Sequence, residues 1–237
     1  MLGQNGAFSS ALLITALVLS AQNARVAGCA GAFLTIKPQI GLLLPAAWAG
    51  GRQWKIFVYA ALVFLVIFTL TIALFGVQAC ELYFRDTFPE MGRIMDEPFP
   101  QGFQVNAITM FMFARAFGAP VHTARITQMV LTVIAFVTTY KIWSDDGDLN
   151  RKLASTIFLG LLAMPYGYTY DMIGYEAALA LILQQCGLSP IWVALWLWPA
   201  LSRDITVDLR VPVTSLVIFV AAIWTFHLPK TQEYQRT

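Results

Sequence analysis

The chain has 237 residues, 58% of them hydrophobic and 12% charged, with a formal net charge of +2. A soluble domain is roughly half apolar and about a quarter charged, so too little polar surface exists here to cover a water-soluble body. The composition excludes a soluble enzyme, a disordered tail and a disulfide-stapled secreted module, and it argues against a nucleic-acid partner. A mean hydropathy of +0.67 places the chain in a bilayer, as an all-α polytopic membrane bundle.

Crossing about 30 Å of hydrocarbon takes about 20 helical residues. At the N-terminus, Phe8–Ala21 is apolar but short, and no basic stretch precedes it. It is therefore not read as a secretory signal peptide. Val26–Gly50 is long enough to span, yet Lys37-Pro38-Gln39 interrupts it at the midpoint. A lysine at membrane depth costs several kcal/mol, and proline removes a backbone donor. Two half-helices forming a hairpin with Lys37 at the tip solve both problems. Gly28, Ala30, Gly31 and Ala32 would let the first half pack closely on a neighbour.

Ile56–Cys80 carries no charge and is the most secure span. The segment Glu81–Thr123 follows as a long loop, rich in aromatics, prolines and carboxylates, with an amphipathic stretch at Gln104–Phe117. Loops of about 40 residues are more often functional than filler. Ile126–Trp143 is the next span, and Ser144–Lys152 a short basic loop. Leu153–Pro165, Met172–Gly187 and Ile191–Leu201 are short apolar helices, and Val211–His227 is a further span. Arg203, Asp204, Asp208 and Arg210 are expected to pair on a short loop. The total is about seven to nine membrane segments, counting the hairpin as two. Cys29, Cys80 and Cys186 lack paired spacing and read as small hydrophobes.

Placing Arg25, Arg52, Lys55, Arg151, Lys152, Lys230 and Arg236 on the cytoplasmic side satisfies the positive-inside bias, though modestly. Residues 3–6, Lys37-Pro38-Gln39, the 81–123 loop and the turn Pro165–Asp171 then all fall on the outer face of the cell membrane. Lys37 is the candidate ligand for a phosphate, with Gln39 beside it; its alternative is snorkelling from a helix end. Gln4 and Asn5 are candidates for sugar hydroxyls, or else a helix cap. Tyr166, Tyr168 and Tyr170 suit the apolar face of a sugar ring, or else an interfacial aromatic belt. Asp171 is the candidate base, and Asn106 a candidate ligand for acceptor or donor. Glu176 and His122 are weaker candidates. Asp145-Asp146-Gly147-Asp148 lacks the spacing of a calcium loop. No phosphate-binding Gly-rich loop, zinc spacing or Ser/His/Asp arrangement occurs, so no metal and no cofactor are expected.

Gly3-Gln4-Asn5-Gly6 leading into an apolar helix, Arg25 with Gly28, Lys37-Pro38-Gln39, a basic Gly-Arg-x-Trp turn and the later Pro165–Asp171 segment together resemble the polyprenol-phosphate-mannose-dependent glycosyltransferases of family 87. The resemblance implies a C-type glycosyltransferase fold, a polyprenyl-phosphate sugar donor, a lipid or glycan acceptor, and transfer with inversion at the outer face. Mannose or another hexose is the sugar it implies. It also implies a catalytic aspartate in a first external loop upstream of Met1, so the chain is expected to be an incomplete enzyme. Two rival classes remain: a transporter or lipid flippase, which also uses broken helices, and a non-catalytic membrane subunit. No second copy of Lys-Pro-Gln marks the internal repeat a transporter would show.

Overall fold

The computed structural model describes residues 5–187 and 189–227. Twelve α-helices and no named strand occur among them: α1 (Gly6–Val18), α2 (Ala24–Phe33), α3 (Leu44–Gly50), α4 (Trp54–Phe75), α5 (Val77–Leu82), α6 (Phe88–Asp96), α7 (Met110–Ala116), α8 (Val121–Ser144), α9 (Leu149–Ala163), α10 (Ile173–Cys186), α11 (Pro190–Leu209) and α12 (Thr214–His227). The architecture is an all-α membrane helical bundle.

Two helices, Trp54–Phe75 and Val121–Ser144, are long and apolar enough to cross a bilayer, and four shorter apolar stretches occur among the described residues. Ile56 is the sole buried residue described on α4, while Val58, Leu62, Leu65, Leu70 and Leu74 open outward. A helix apolar on every side and packed on few neighbours needs lipid as its solvent. Its span ends earlier than the sequence suggests. Gly76, at a φ of 78°, breaks the helix, and residues 77–96 continue as α5, a short π-helical turn and α6. The 81–123 connection is thus largely helical rather than irregular.

The interrupted segment adopts the half-helix arrangement. α2 tightens through a 3-10 turn at Leu34–Ile36, the chain turns through 37–43, and α3 follows. Gly28 lets α2 seat on α4, because a Cβ there would lie 2.6 Å from Tyr59 Cβ and 2.9 Å from the Ala60 amide nitrogen. In a bundle without a hydrophobic drive between helices, such close approach gains dispersion and steric fit.

The main core runs through α1, the hairpin and α8 to α12, with Leu17, Phe158, Tyr175 and Leu179 fully buried. Polar pairs stitch it. Trp143 donates to Thr156 Oγ1 at 2.8 Å, and Ser155 and Thr225 hydroxyls meet at 3.0 Å. α11 carries Pro199 in its interior, which deprives the Leu195 carbonyl of its helical donor. The buried Tyr175 hydroxyl supplies the replacement at 3.1 Å. The helix also runs past Arg203, Asp204 and Asp208, where a loop was expected, and these charges form no ion pair among the described residues. Continued as helix, the segment spaces these charges along α11 instead of folding them back on one another as a loop would. Asp148, in the acidic turn, accepts the Arg151 amide at 2.9 Å and caps α9.

A second, smaller cluster gathers Met95, Ala107, Phe111, Met112 and Ala124, with Tyr166 and Tyr168 packed against it.

Candidate functional site

The site is built where two helices are stopped by proline. After α2, Pro38 cannot donate, so the chain turns through Ile40 N–H to Lys37 O and Gly41 N–H to Pro38 O, both 3.1 Å. After α9, Pro165 forces Met164 into an extended conformation, leaving the last carbonyls of the helix without donors. Two side chains of α8 take them: Gln128 Nε2 donates to Leu162 O, and Thr132 Oγ1 to Ala163 O, each at 2.8 Å. Gln128 Oε1 also accepts the Phe111 amide at 3.1 Å, tying the start of α7 to the same point. Beyond, Ile108 N–H donates to Gly167 O at 3.0 Å, and Ala107 and Tyr168 form an isolated antiparallel bridge.

The Tyr166–Asp171 turn closes on itself. Asp171 N–H donates to Tyr168 O at 2.8 Å, and Tyr168 N–H returns a bond to Asp171 Oδ2 at 3.2 Å. Asp171 Oδ1 holds the Lys37 ammonium in an ion pair, with side-chain exposures of 1% and 11% respectively. The ammonium also sits 4.6 Å from the centre of the Tyr170 ring, which stacks on Tyr168 at 5.6 Å and 29°. Gly6 opens α1 directly against the Tyr170 carbonyl, and any Cβ at that position would overlap its oxygen.

The structure therefore brings Lys37, Tyr168, Tyr170 and Asp171 into contact, and sets the Asn5–Gly6 start of α1 and the Asn106–Ile108 segment beside their turn. Asn5 is the exposed N-cap residue of α1, and its side chain makes no capping bond. Gln4 lies outside the described residues. Gln39 is buried in the 37–43 turn, and its Oε1 has no hydrogen-bond partner among the described residues; Asn106 donates to Gly102 O at 3.1 Å while its Oδ1 is likewise unpartnered among them. Tyr166 packs on the smaller cluster. Glu176 is half-buried on the first turn of α10 without an ion pair among the described residues, and His122 is exposed on the first turn of α8. No group of three or more potential metal ligands occurs among the described residues.

Burial, then the Asp171 charge, pushes the Tyr170 phenol up to about 12, and burial raises Tyr166 and Tyr168 as well. All three remain neutral at physiological pH. Behind Asp171, a cavity of about 10 Å³ is lined by Ser10, Leu13, Ile40, Ile157 and Gly174. It has room for about one water and none for a sugar. A groove of about 580 Å³ lined by residues between 85 and 94 holds none of these side chains; it is a crease along an exposed helical stretch.

The pairing of Lys37 with Asp171 is the feature that a residue-by-residue reading misses, since it treats one as a phosphate ligand and the other as a base. The signal was present: a lone cation and a lone carboxylate at membrane depth each need a partner. Gln128 was also missed, although an amide inside the Ile126–Trp143 run has to be satisfied.

The sequence profile of glycosyltransferase family 87 matches residues 1–165, so the chain belongs to that family. No curated protein and no solved structure matches it. The matched segment contains Lys37, Asn106 and Gln128 and stops at Pro165, so the tyrosine turn lies beyond it. Membership establishes a membrane glycosyltransferase and sets aside the transporter and flippase classes.

Proposed function

We propose that this family 87 chain transfers a sugar, mannose or another hexose, from a polyprenyl-phosphate donor to a lipid or glycan acceptor at the outer face of the cell membrane, with inversion at the anomeric carbon. The observation that carries this reading is the meeting of a largely buried cation with two stacked tyrosines and a buried carboxylate at one end of the bundle. Breaking a glycosyl–phosphate bond requires stabilisation of the departing phosphate, and a desolvated lysine supplies it far more strongly than one in water. Lys37 takes the donor phosphate, assisted by Gln39. The ring faces of Tyr168 and Tyr170, with Tyr166 at the rim, take the sugar, and Asn5, Asn106 and Gln4 its hydroxyls or those of the acceptor.

A second regularity supports the outer-face assignment. The basic turns collect at the other end of the molecule: Gly50 packs on Tyr140 and Trp143, Lys152 lies 5.9 Å from the Trp143 ring, and Arg151 donates to Phe226 O at 2.6 Å. With that end cytoplasmic, the chain is multi-pass and the site opens outward.

The test is transfer from a polyprenyl-phosphate sugar in proteoliposomes. Lys37→Met, at matched protein levels, should lose two or more orders of magnitude of rate, and Lys37→Arg should keep part of it. Wild-type transfer by the Met variant would refute the phosphate role.

A further inference from the structure

Lys37 and Asp171 are engaged with each other, with side-chain exposures of 11% and 1%, so the ammonium is already occupied by an anion. The adjoining cavity, about 10 Å³, admits no sugar. We propose that Asp171 occupies the donor phosphate's place on Lys37, and that the arriving lipid phosphate displaces it, opening the pocket and releasing the carboxylate. The proposal rests on the phosphate reading of Lys37 given above.

Charge balance favours displacement over addition. The buried pair is neutral, so a phosphate entering beside it intact would bring an uncompensated anion into a poorly solvated site. Exchange of one anion for another keeps the ammonium compensated, provided that the displaced carboxylate turns toward water as the pocket opens. The geometry suits exchange too. Asp171 is tethered through the Tyr168 amide at 3.2 Å, independently of Lys37, and can swing without leaving the turn. Lys37 is retained by the Tyr170 ring at 4.6 Å when the carboxylate departs.

Affinity for polyprenyl monophosphate, measured on the full chain in nanodiscs, separates the possibilities. Asp171→Asn removes the competing anion and should bind the lipid about tenfold more tightly than wild type. Equal or weaker binding would overturn the displacement. The neutral pair Lys37→Met with Asp171→Asn should lose binding; if it binds like wild type, the phosphate reading itself fails, whatever Asp171→Asn does. Should Asp171→Asn not fold, difference infrared spectra of the wild type report the same event. Adding lipid phosphate should shift a carboxylate band that Asp171→Glu moves, and an unchanged band would overturn the proposal. Inorganic phosphate should reproduce the shift only at far higher concentration; equal potency would overturn the assignment to a lipid.

Discussion

Lys37 shows how a single residue changes meaning once its partner is known. Alone, a lysine at membrane depth is a burden, and replacing it with methionine should help the fold. Paired with an aspartate that is 1% exposed, the same replacement strands a carboxylate. Removing one partner of a buried pair typically costs about 3–5 kcal/mol, whereas replacing both is often neutral. Lys37→Met should therefore lower the melting temperature in detergent markedly, and adding Asp171→Asn should restore most of the loss. A single variant as stable as wild type would mean that the pair is solvated, and that its carboxylate is not held in the turn by charge. Activity assays on Lys37 variants consequently need the double variant beside them.

At the level of elements, the bundle is organised by where helices stop. Pro38, Pro165 and Pro199 each remove a donor, and each interruption is answered differently: by a turn, by Gln128 with Thr132, and by Tyr175. Gln128→Leu should leave the Leu162 carbonyl and the Phe111 amide bare, at about 1–3 kcal/mol for each unsatisfied group. The turn bearing Tyr168 hangs from this point. The variant should lower the thermal midpoint and speed amide exchange at Ile108, whose bond to Gly167 depends on that registration. Unaltered exchange at Ile108 would show that the two segments are held by the smaller core alone. The proline stops, the helix-breaking Lys37 and the apolar runs were legible in the sequence, because they follow from local backbone chemistry. The break at Gly76 was not, since an apolar run continues through it to Cys80. Nor were the partners of Asp171 and Gln128, or the continuation of α11 past Arg203. Those depend on which helices become neighbours, a property of the assembled bundle that hydropathy does not encode.

The whole molecule has two chemically different ends, and this asymmetry decides its function. Gly6 against Tyr170, Lys37 on Asp171 and Ala107 opposite Tyr168 fix three separated stretches to one end. Gly50 against Tyr140 and Lys152 over Trp143 fix the basic turns to the other. A transferase drawing on a lipid-borne sugar has to present the first end to the compartment holding its acceptor. Under the proposed function, the positive-inside bias points to an extracytoplasmic compartment. In a background with Cys29, Cys80 and Cys186 replaced by alanine, single cysteines at the exposed glycines Gly102 and Gly147 probe the two ends. In sealed, right-side-out cells an impermeant thiol reagent should modify the Gly102→Cys protein. It should reach Gly147→Cys only after the membrane is permeabilised. Because both residues are solvent-exposed glycines away from the packed core, neither variant should disturb folding, and total labelling after permeabilisation provides the control. The reverse pattern would turn the bundle over and place Lys37 on the cytoplasmic side. Transfer at the outer face would then be untenable, and the donor phosphate would have to be met from within the cell.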